Sequence, residues 1–429
     1  MKRILPFACF ILLISPVYSQ DTIRVMHYNL LCYGQTCSYS NCTSSNNDET
    51  AKNGYLKTII KYAKPDIFTV NEIAKNAAKH QLLMNNCLNV DGVTYYQKCN
   101  YSNQSNSDLT NELYYNSDKL GFCSQYNIGT SVRDINIYKL YFKAGNLSTT
   151  HDTAFFTCIV THLKAGNTSS DSIERATITN TIMNYLNSIG VKDNYMAMGD
   201  FNVYSGNEKC FQNLVNYTNP DIRFFDPVNK IGNWHDDSYY ADYHTQSTHT
   251  SSTGCFSTGG IDDRFDFILI SDYIKNGTQH FQYIPSTYKA IGQDGNHLND
   301  AVNYGTNNSA PDSVIDALYG MSDHLPVILD LRVNQTAGIN NLQIPAFTNV
   351  YFANPVNDNM DVTVEVPAKT KLIFNVINLL GQILYSKEIE TTGTIAYCSI
   401  STESLYKGIY FLKVSDSGNN SIVRKFVKG

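Results

Sequence analysis

The sequence predicts a mixed α/β domain followed by a small all-β unit. Short apolar runs that end in polar residues mark buried strands, and a few segments with helical apolar spacing lie between them. Beyond residue 345 the pattern changes to short strand-like runs separated by turn residues, as in Leu372–Val376 and Ile409–Val414.

The chain has 429 residues, enough for two or three domains. Residues 1–20 are set apart. Lys2 and Arg3 open a mostly apolar stretch, Ile4 to Pro16, too short to span a bilayer. Val17, Tyr18 and Ser19 then precede a cut near Gln20 or Asp21. This is the pattern of a secretory signal peptide. No later run of ~18 apolar residues occurs, so no transmembrane segment is expected. Losing Lys2 and Arg3 lowers Lys+Arg from 32 to 30, against 38 Asp+Glu. That surplus of acid argues against non-specific phosphate-backbone binding as the main task. It leaves room for a nucleic-acid enzyme whose local positive charge comes from a metal ion. Ten cysteines follow the signal, and in an exported chain they point to disulfides. The set Cys32, Cys37 and Cys42 is read the same way, because no histidine lies beside it at zinc-site spacing. Cys398 alone lies beyond residue 345 and lacks a local partner.

In chain order, residues 21–31 read as a strand with Asn29 near its end. Residues 49–63 have helical spacing at Tyr55, Leu56, Ile59, Ile60 and Ala63 and stop at Lys64-Pro65. Ile67–Val70 is a strand ending in Asn71 and Glu72, and residues 75–88 read as helical. Strands follow at 113–115, 135–139 and 154–161, the last running into His162. Residues 171–189 read as an amphipathic helix starting at Asp171. Tyr195–Met198 drives into Gly199, Asp200, Phe201 and Asn202. Residues 204–260 and 286–320 read as loops, flanking a strand at 262–270 with charges at its entry, and Ser322 to Leu331 closes this part.

Polar residues therefore recur at strand ends: Asn29, Glu72, His162, Asp200, Asn202, Asp266, Asp323 and His324. Asp200 and Asn202 are two apart and face the same way on an extended chain. Two packed sheets presenting these ends on one rim would gather carboxylates for a divalent ion and two imidazoles for proton transfer.

The segments His27-Tyr-Asn29, Val70-Asn-Glu72, His162-Leu-Lys-Ala-Gly166, Gly199-Asp200-Phe-Asn202, Arg264-Phe-Asp266 and Ser322-Asp323-His324 occur in that order over residues 22–334. This ordered set resembles the endonuclease/exonuclease/phosphatase superfamily, which includes deoxyribonuclease I. The resemblance implies a four-layer α/β sandwich, two mixed sheets flanked by helices. It implies that Glu72, with Asn29 and Asp323, holds Mg²⁺ or Mn²⁺. Asp200 would orient or deprotonate the attacking water, and Asn202 would hold the phosphate. His324 would face the phosphate with Asp266 fixing its tautomer, Asp263 being a nearby competitor for that role. His162 would be a second imidazole with Asp108 or Glu112 as its acid, and Arg133 would bind phosphate. A Cys210–Cys255 disulfide would resemble one in deoxyribonuclease I, and Asn71 replaces the glutamine usual before the metal glutamate.

In the tail, Asn354-Pro355, Asn378-Leu-Leu-Gly381, Leu405-Tyr-Lys-Gly408 and Lys425-Phe resemble the C-terminal sorting domain of the type IX secretion system. The organisation expected is a signal peptide at 1–20, a catalytic domain at 21–334, a linker at 335–345 and a sorting domain at 346–429. The resemblances imply a monomeric, secreted or surface-attached, metal-dependent phosphodiesterase, exported through the periplasm and handed to the type IX machinery by its tail. A nucleic-acid substrate is expected, and a sphingomyelinase-like or inositol phosphate phosphatase activity on the same metal site is the alternative.

Overall fold

The computed structural model describes residues 21–429 except 38–40, 145–146, 148–152, 252–253, 335–348, 367–368, 379–381, 392–394 and 417–420. The signal peptide, the linker at 335–345 and the tail turn at Gly381 lie outside the described residues. The described residues form two compact units.

The first unit holds strands β1 (Thr22–Tyr33), β2 (Ile67–Ala74), β3 (Tyr96–Lys98), β4 (Leu109–Asn116), β5 (Leu120–Ile128), β6 (Ile135–Phe142), β7 (Phe155–His162), β8 (Tyr195–Asp200), β9 (Phe224–Phe225), β10 (Asp266–Ser271), β11 (Phe281–Tyr283), β12 (Lys289–Ala290) and β13 (Val327–Val333). They make two mixed sheets. One runs β11-β13-β1-β2-β4-β3, with β12 beside β13, and the other runs β5-β6-β7-β8-β10-β9. Each has one parallel pair, β1 with β2 and β7 with β8. Their inner faces meet: Thr69 on β2 donates its hydroxyl to the Met198 sulfur on β8 (3.2 Å), and Asn71 accepts from the Asp200 backbone N–H (2.8 Å).

Helices α1 (Glu49–Ala63), α2 (Ala77–Leu83), α3 (Ser169–Ile189), α4 (Lys209–Val215), α5 (Asp272–Asn276) and α6 (Asp312–Met321) flank the sheets. Asp48 caps α1 at the Ala51 N–H, and the helix ends at Lys64 in the left-handed region, just before Pro65. Its buried side includes Leu56, Ile59, Ile60 and Ala63, as the spacing predicts, whereas Tyr55, predicted with them, is exposed. α3 begins at Ser169, two residues before its predicted start. Asp171 serves instead as the third residue of a capping box with Thr168, and Gly190 closes the helix. Ile178, Ile182, Met183 and Leu186 bury the helix against Ile137, Ile159, Ala197 and Leu269 of the second sheet. Each such side chain contributes on the order of 2 kcal/mol of transfer energy.

The residues predicted as loop at 286–320 include α6, which buries Val314, Ile315, Ala317, Leu318 and Met321. The Asn/Gly-rich residues before it masked this apolar spacing. α4 likewise lies inside the predicted loop at 204–260, and β5 was not predicted because its polar residues break the alternation.

The second unit is all-β, as predicted. β14 (Asn349–Tyr351), β15 (Asn359–Glu365) and β18 (Ile395–Ser401) form one antiparallel sheet. β17 (Ile383–Glu390), β16 (Lys371–Ile377), β19 (Gly408–Asp416) and β20 (Ser421–Lys428) form another. Alternate residues such as Val362, Val364, Phe374, Val376, Leu412 and Val414 build its core.

Candidate active site

In the first unit, the C-terminal ends of the two parallel pairs fall on one rim. β1 and β2 bring Asn29 and Glu72 there, and β7 and β8 bring His162 and Asp200, which are direct register partners. The strands antiparallel to them start at the same rim. Asp266 opens β10 opposite Asp200, and His324 lies just before β13, whose Val327 pairs with His27.

Local irregularities aim the side chains. The β1–β2 ladder shifts register between Asn29 and Tyr33, and the β2–β4 ladder shifts between Val70 and Ile73. Leu31, Cys32, Glu72 and Asn202 all have φ between 45° and 56°. Bulges and left-handed non-glycine residues concentrate where a side chain must be redirected at some cost in strain. Gly199 is demanded by packing: a Cβ there would lie 1.7 Å from the Thr161 carbonyl oxygen on β7.

The predicted residues converge as follows. The Asn29 carboxamide donates to Glu72 Oε1 (3.2 Å) and Asp200 Oδ2 (3.0 Å). His162 Nε2 lies 3.4 Å from Asp200 Oδ2 and 3.8 Å from Glu72 Oε1. His324 Nδ1 contacts Asp266 Oδ2 at 2.7 Å, and its Nε2 lies 3.7 Å from Asp200 Oδ2. Asp263 instead pairs with His235 (2.9 Å). The Asn202 carboxamide and one Arg133 Nη both donate to the Leu163 carbonyl, at 3.3 and 3.4 Å, and Arg133 Nε is buried without a partner. Asp323 accepts the Ser257 N–H on one oxygen (2.9 Å), while the other is buried without a partner.

Neither candidate acid reaches His162. Asp108 pairs with Lys75, and Glu112 turns away to the buried His80 (3.0 Å). His162 Nδ1 is left without a hydrogen-bond partner. The second correction concerns the disulfides. Cys255 joins Cys42, not Cys210, and Cys32 joins Cys37. Cys210 is buried in the core with Phe211 and Trp234.

Burial and charge separate the titrating groups. Burial, reinforced by the Asp266 and Glu72 carboxylates, pushes Asp200 up to about 7. Burial alone would lower His324, but Asp266 and Asp200 outweigh it and hold this imidazole well above its ordinary value. Burial, with the Arg133 charge nearby, drives His162 well below that value. One imidazole thus favours the charged form and the other the neutral form.

Several contacts of the site escaped the sequence reading. The Cys32 N–H donates to Glu72 Oε2 (3.1 Å). Asn71 links the Asp200 backbone to a chain of buried carboxamides through Asn111 and Asn136. Lys52 on α1 is buried with its ammonium on the Leu30 carbonyl (2.9 Å), and burial pulls it down to about 7. Gln246 contacts His324 Nε2 at 2.7 Å. Asn71 was marked in the sequence only as the residue before Glu72, without this network, whereas Gln246 lies in a long loop with no local pattern to mark it.

Glu72, His162 and Asp200 each offer a ligand atom, and the three atoms lie within 4.8 Å of one another. Two carboxylates and an imidazole this close together suit a divalent cation, and Asp323, expected as a ligand, is not part of that cluster.

Residues 350–429 match the family model of the secretion system C-terminal sorting domain. That match indicates export of the chain by type IX secretion. No curated protein matches the chain in sequence. Solved structures similar to it include the following three. The first is an endonuclease/exonuclease/phosphatase from Bacteroides vulgatus (14% identity, 73% of this chain and 100% of that chain, TM-score 0.47). The second is the human Nocturnin catalytic domain (15%, 73% and 98%, 0.45). The third is a mannosyl-6-phosphatase from Bacteroides thetaiotaomicron (14%, 72% and 99%, 0.43). Among the described residues no helix is long and apolar enough to cross a membrane.

Proposed function

We propose that the chain is a secreted, divalent-metal-dependent phosphodiesterase, and that its substrate is extracellular DNA or RNA. The observation that carries this is the convergence of Glu72, Asp200 and Asp266 with two imidazoles of opposite charge preference on one rim. Pairs of titrating groups pushed apart in this way divide acid from base work.

Asp200, held near neutrality, orients a water and takes its proton. His324, tied by Nδ1 to Asp266, presents Nε2 to the phosphate and offers a proton there. Arg133 has an unused buried N–H, and with Asn202 it binds the phosphate oxygens. Glu72, with Asn29 and Asp323, would hold Mg²⁺ or Mn²⁺, with His162 and Asp200 beside it. When bound, the ion neutralises charge on a non-bridging phosphate oxygen.

The tyrosines at 239–243 do not support a lipid substrate. Tyr243 packs on Arg264, and Tyr240 packs on the core of the second sheet. Tyr239 is exposed, but it lies under the Lys230 ammonium (3.7 Å). An aromatic loop for entering a membrane is therefore not on offer in these residues.

The test is a substrate panel given to the oxidised full-length chain with Mg²⁺ or Mn²⁺: plasmid DNA, RNA, sphingomyelin and inositol polyphosphates. Nucleic-acid cleavage is expected, with Glu72→Ala lowering it at least a hundredfold while remaining folded. Release of a phosphorylated headgroup or free phosphate, with no cleavage of nucleic acid, would move the substrate to lipids or inositol phosphates.

A further inference from the structure

Resting on the phosphodiesterase reading, we propose that Gln246 is a placeholder: in the free enzyme its carboxamide fills the seat on His324 Nε2 that a phosphate oxygen takes, and substrate displaces it.

The backbone of this segment is fixed. Gln246 N–H donates to the Asp263 carbonyl (3.1 Å), and the Gln246 carbonyl accepts from Asp262 N (2.9 Å) and Asp263 N (3.0 Å). Its neighbour Thr245 accepts the Leu325 N–H on its carbonyl (2.7 Å) and those of Phe265 and Asp266 on its hydroxyl (3.2 Å each). Thr245 and Gln246 therefore lock the segment carrying Asp266 to the segment carrying His324. Only the Gln246 side chain, half-buried, is left to move.

Among the described residues, that side chain hydrogen-bonds to His324 Nε2 alone. Asp266 occupies Nδ1, so Nε2 is the nitrogen left for substrate. An imidazole nitrogen makes one good in-plane hydrogen bond. The other groups near Nε2 are farther away, Asn29 Nδ2 at 3.5 Å and Asp200 Oδ2 at 3.7 Å. Gln246 at 2.7 Å therefore holds the direction along which a phosphate oxygen would approach. Glutamine suits the task because a half-turn of its amide presents either N–H or C=O, so it can match a bare or a protonated Nε2. As a neutral group it also holds the imidazole without the charge penalty that a carboxylate would impose on an incoming anion.

The experiment measures inorganic phosphate binding by calorimetry and KM for bis(p-nitrophenyl) phosphate. It uses the oxidised full-length chain at fixed Mg²⁺, comparing wild type with Gln246→Ala and Gln246→Glu. Removing a competing neutral hydrogen bond should tighten phosphate binding about five-fold in Gln246→Ala and lower KM similarly. Gln246→Glu should weaken both. A purely structural role would shift the two variants in the same direction. In a His324→Ala background, Gln246→Ala should change nothing. Equal or weaker phosphate binding by Gln246→Ala would overturn the placeholder while leaving the phosphodiesterase intact. If wild type neither binds phosphate nor turns over the diester, the placeholder and the phosphodiesterase reading fall together.

Discussion

At the scale of single residues, Asp200 is in conflict with the stability of the fold. Its carboxyl is buried beside Glu72 and Asp266 and is pushed up to about 7, against roughly 4 for a free carboxylate. A folded-state value above the unfolded one means that the native form binds the proton more tightly. This group therefore destabilises the fold progressively as pH rises from about 4 through 7, and the penalty is complete above that range. Asp200→Asn keeps an oxygen for the Asn202 N–H, which Asp200 accepts at 3.0 Å, and removes the charge, giving up the bond that Oδ2 accepts from Asn29 (3.0 Å). In chelator at pH 8 the variant should melt several degrees above wild type, and the gain should vanish near pH 4. Thermal melts across that range check it, and a lower melting temperature at pH 8 would contradict it. Most residues of this rim were legible in the sequence, because Asp200, Asp266 and His324 each end or open an apolar run. The acid expected for His162 was not legible. Side chains alternate along β4, and this turns Glu112 away to His80 while Asn111 faces Asn71.

At the scale of elements, the loop before β10 is held by one buried ion pair. Arg264 donates to both Asp226 oxygens, at 2.9 and 2.8 Å, and its guanidinium lies over Phe267 (4.6 Å to the ring centre). Both side chains are fully buried. Burial would raise Asp226, but Arg264 outweighs it and holds the carboxyl below its ordinary value. That contribution is present above the unfolded carboxylate range and is lost as pH falls through the lower folded value. Arg264→Met strands the buried carboxylate and should cost about 3–5 kcal/mol, whereas the double variant Arg264→Met/Asp226→Leu should recover much of it. Urea denaturation of the two variants checks this. The sequence marked Arg264 only as part of a motif. Its partner lies 38 residues away in a stretch read as loop, and no local periodicity points to such a pairing. α1 and α3, by contrast, were legible because their apolar spacing runs over several turns.

At the scale of the whole molecule, the Cys42–Cys255 disulfide joins segments 213 residues apart. It ties the loop after β1, whose Cys32 N–H holds Glu72, to the loop whose Ser257 N–H holds Asp323. Cys255→Ser should cost about 2–5 kcal/mol, read as a lower denaturation midpoint in urea, and should weaken Mn²⁺ binding measured by calorimetry. Unchanged metal affinity in the folded variant would show that the brace does not reach the site. Cysteine count implied disulfides, but Cys87, Cys99, Cys158, Cys210 and Cys398 lie outside them, and the pairing was not legible because it follows from which loops meet in space. The same holds for the two-sheet architecture: apolar runs reveal strands, and their order in the sheets follows from long-range contacts.

The most direct test of the account is cleavage of supercoiled plasmid by the oxidised full-length chain with Mg²⁺ or Mn²⁺, beside the same reaction in chelator and beside Asp200→Ala. Wild type should nick the plasmid, chelator should abolish the nicking, and the folded variant should lack it. Cleavage that persists in chelator, or in Asp200→Ala, would contradict the account.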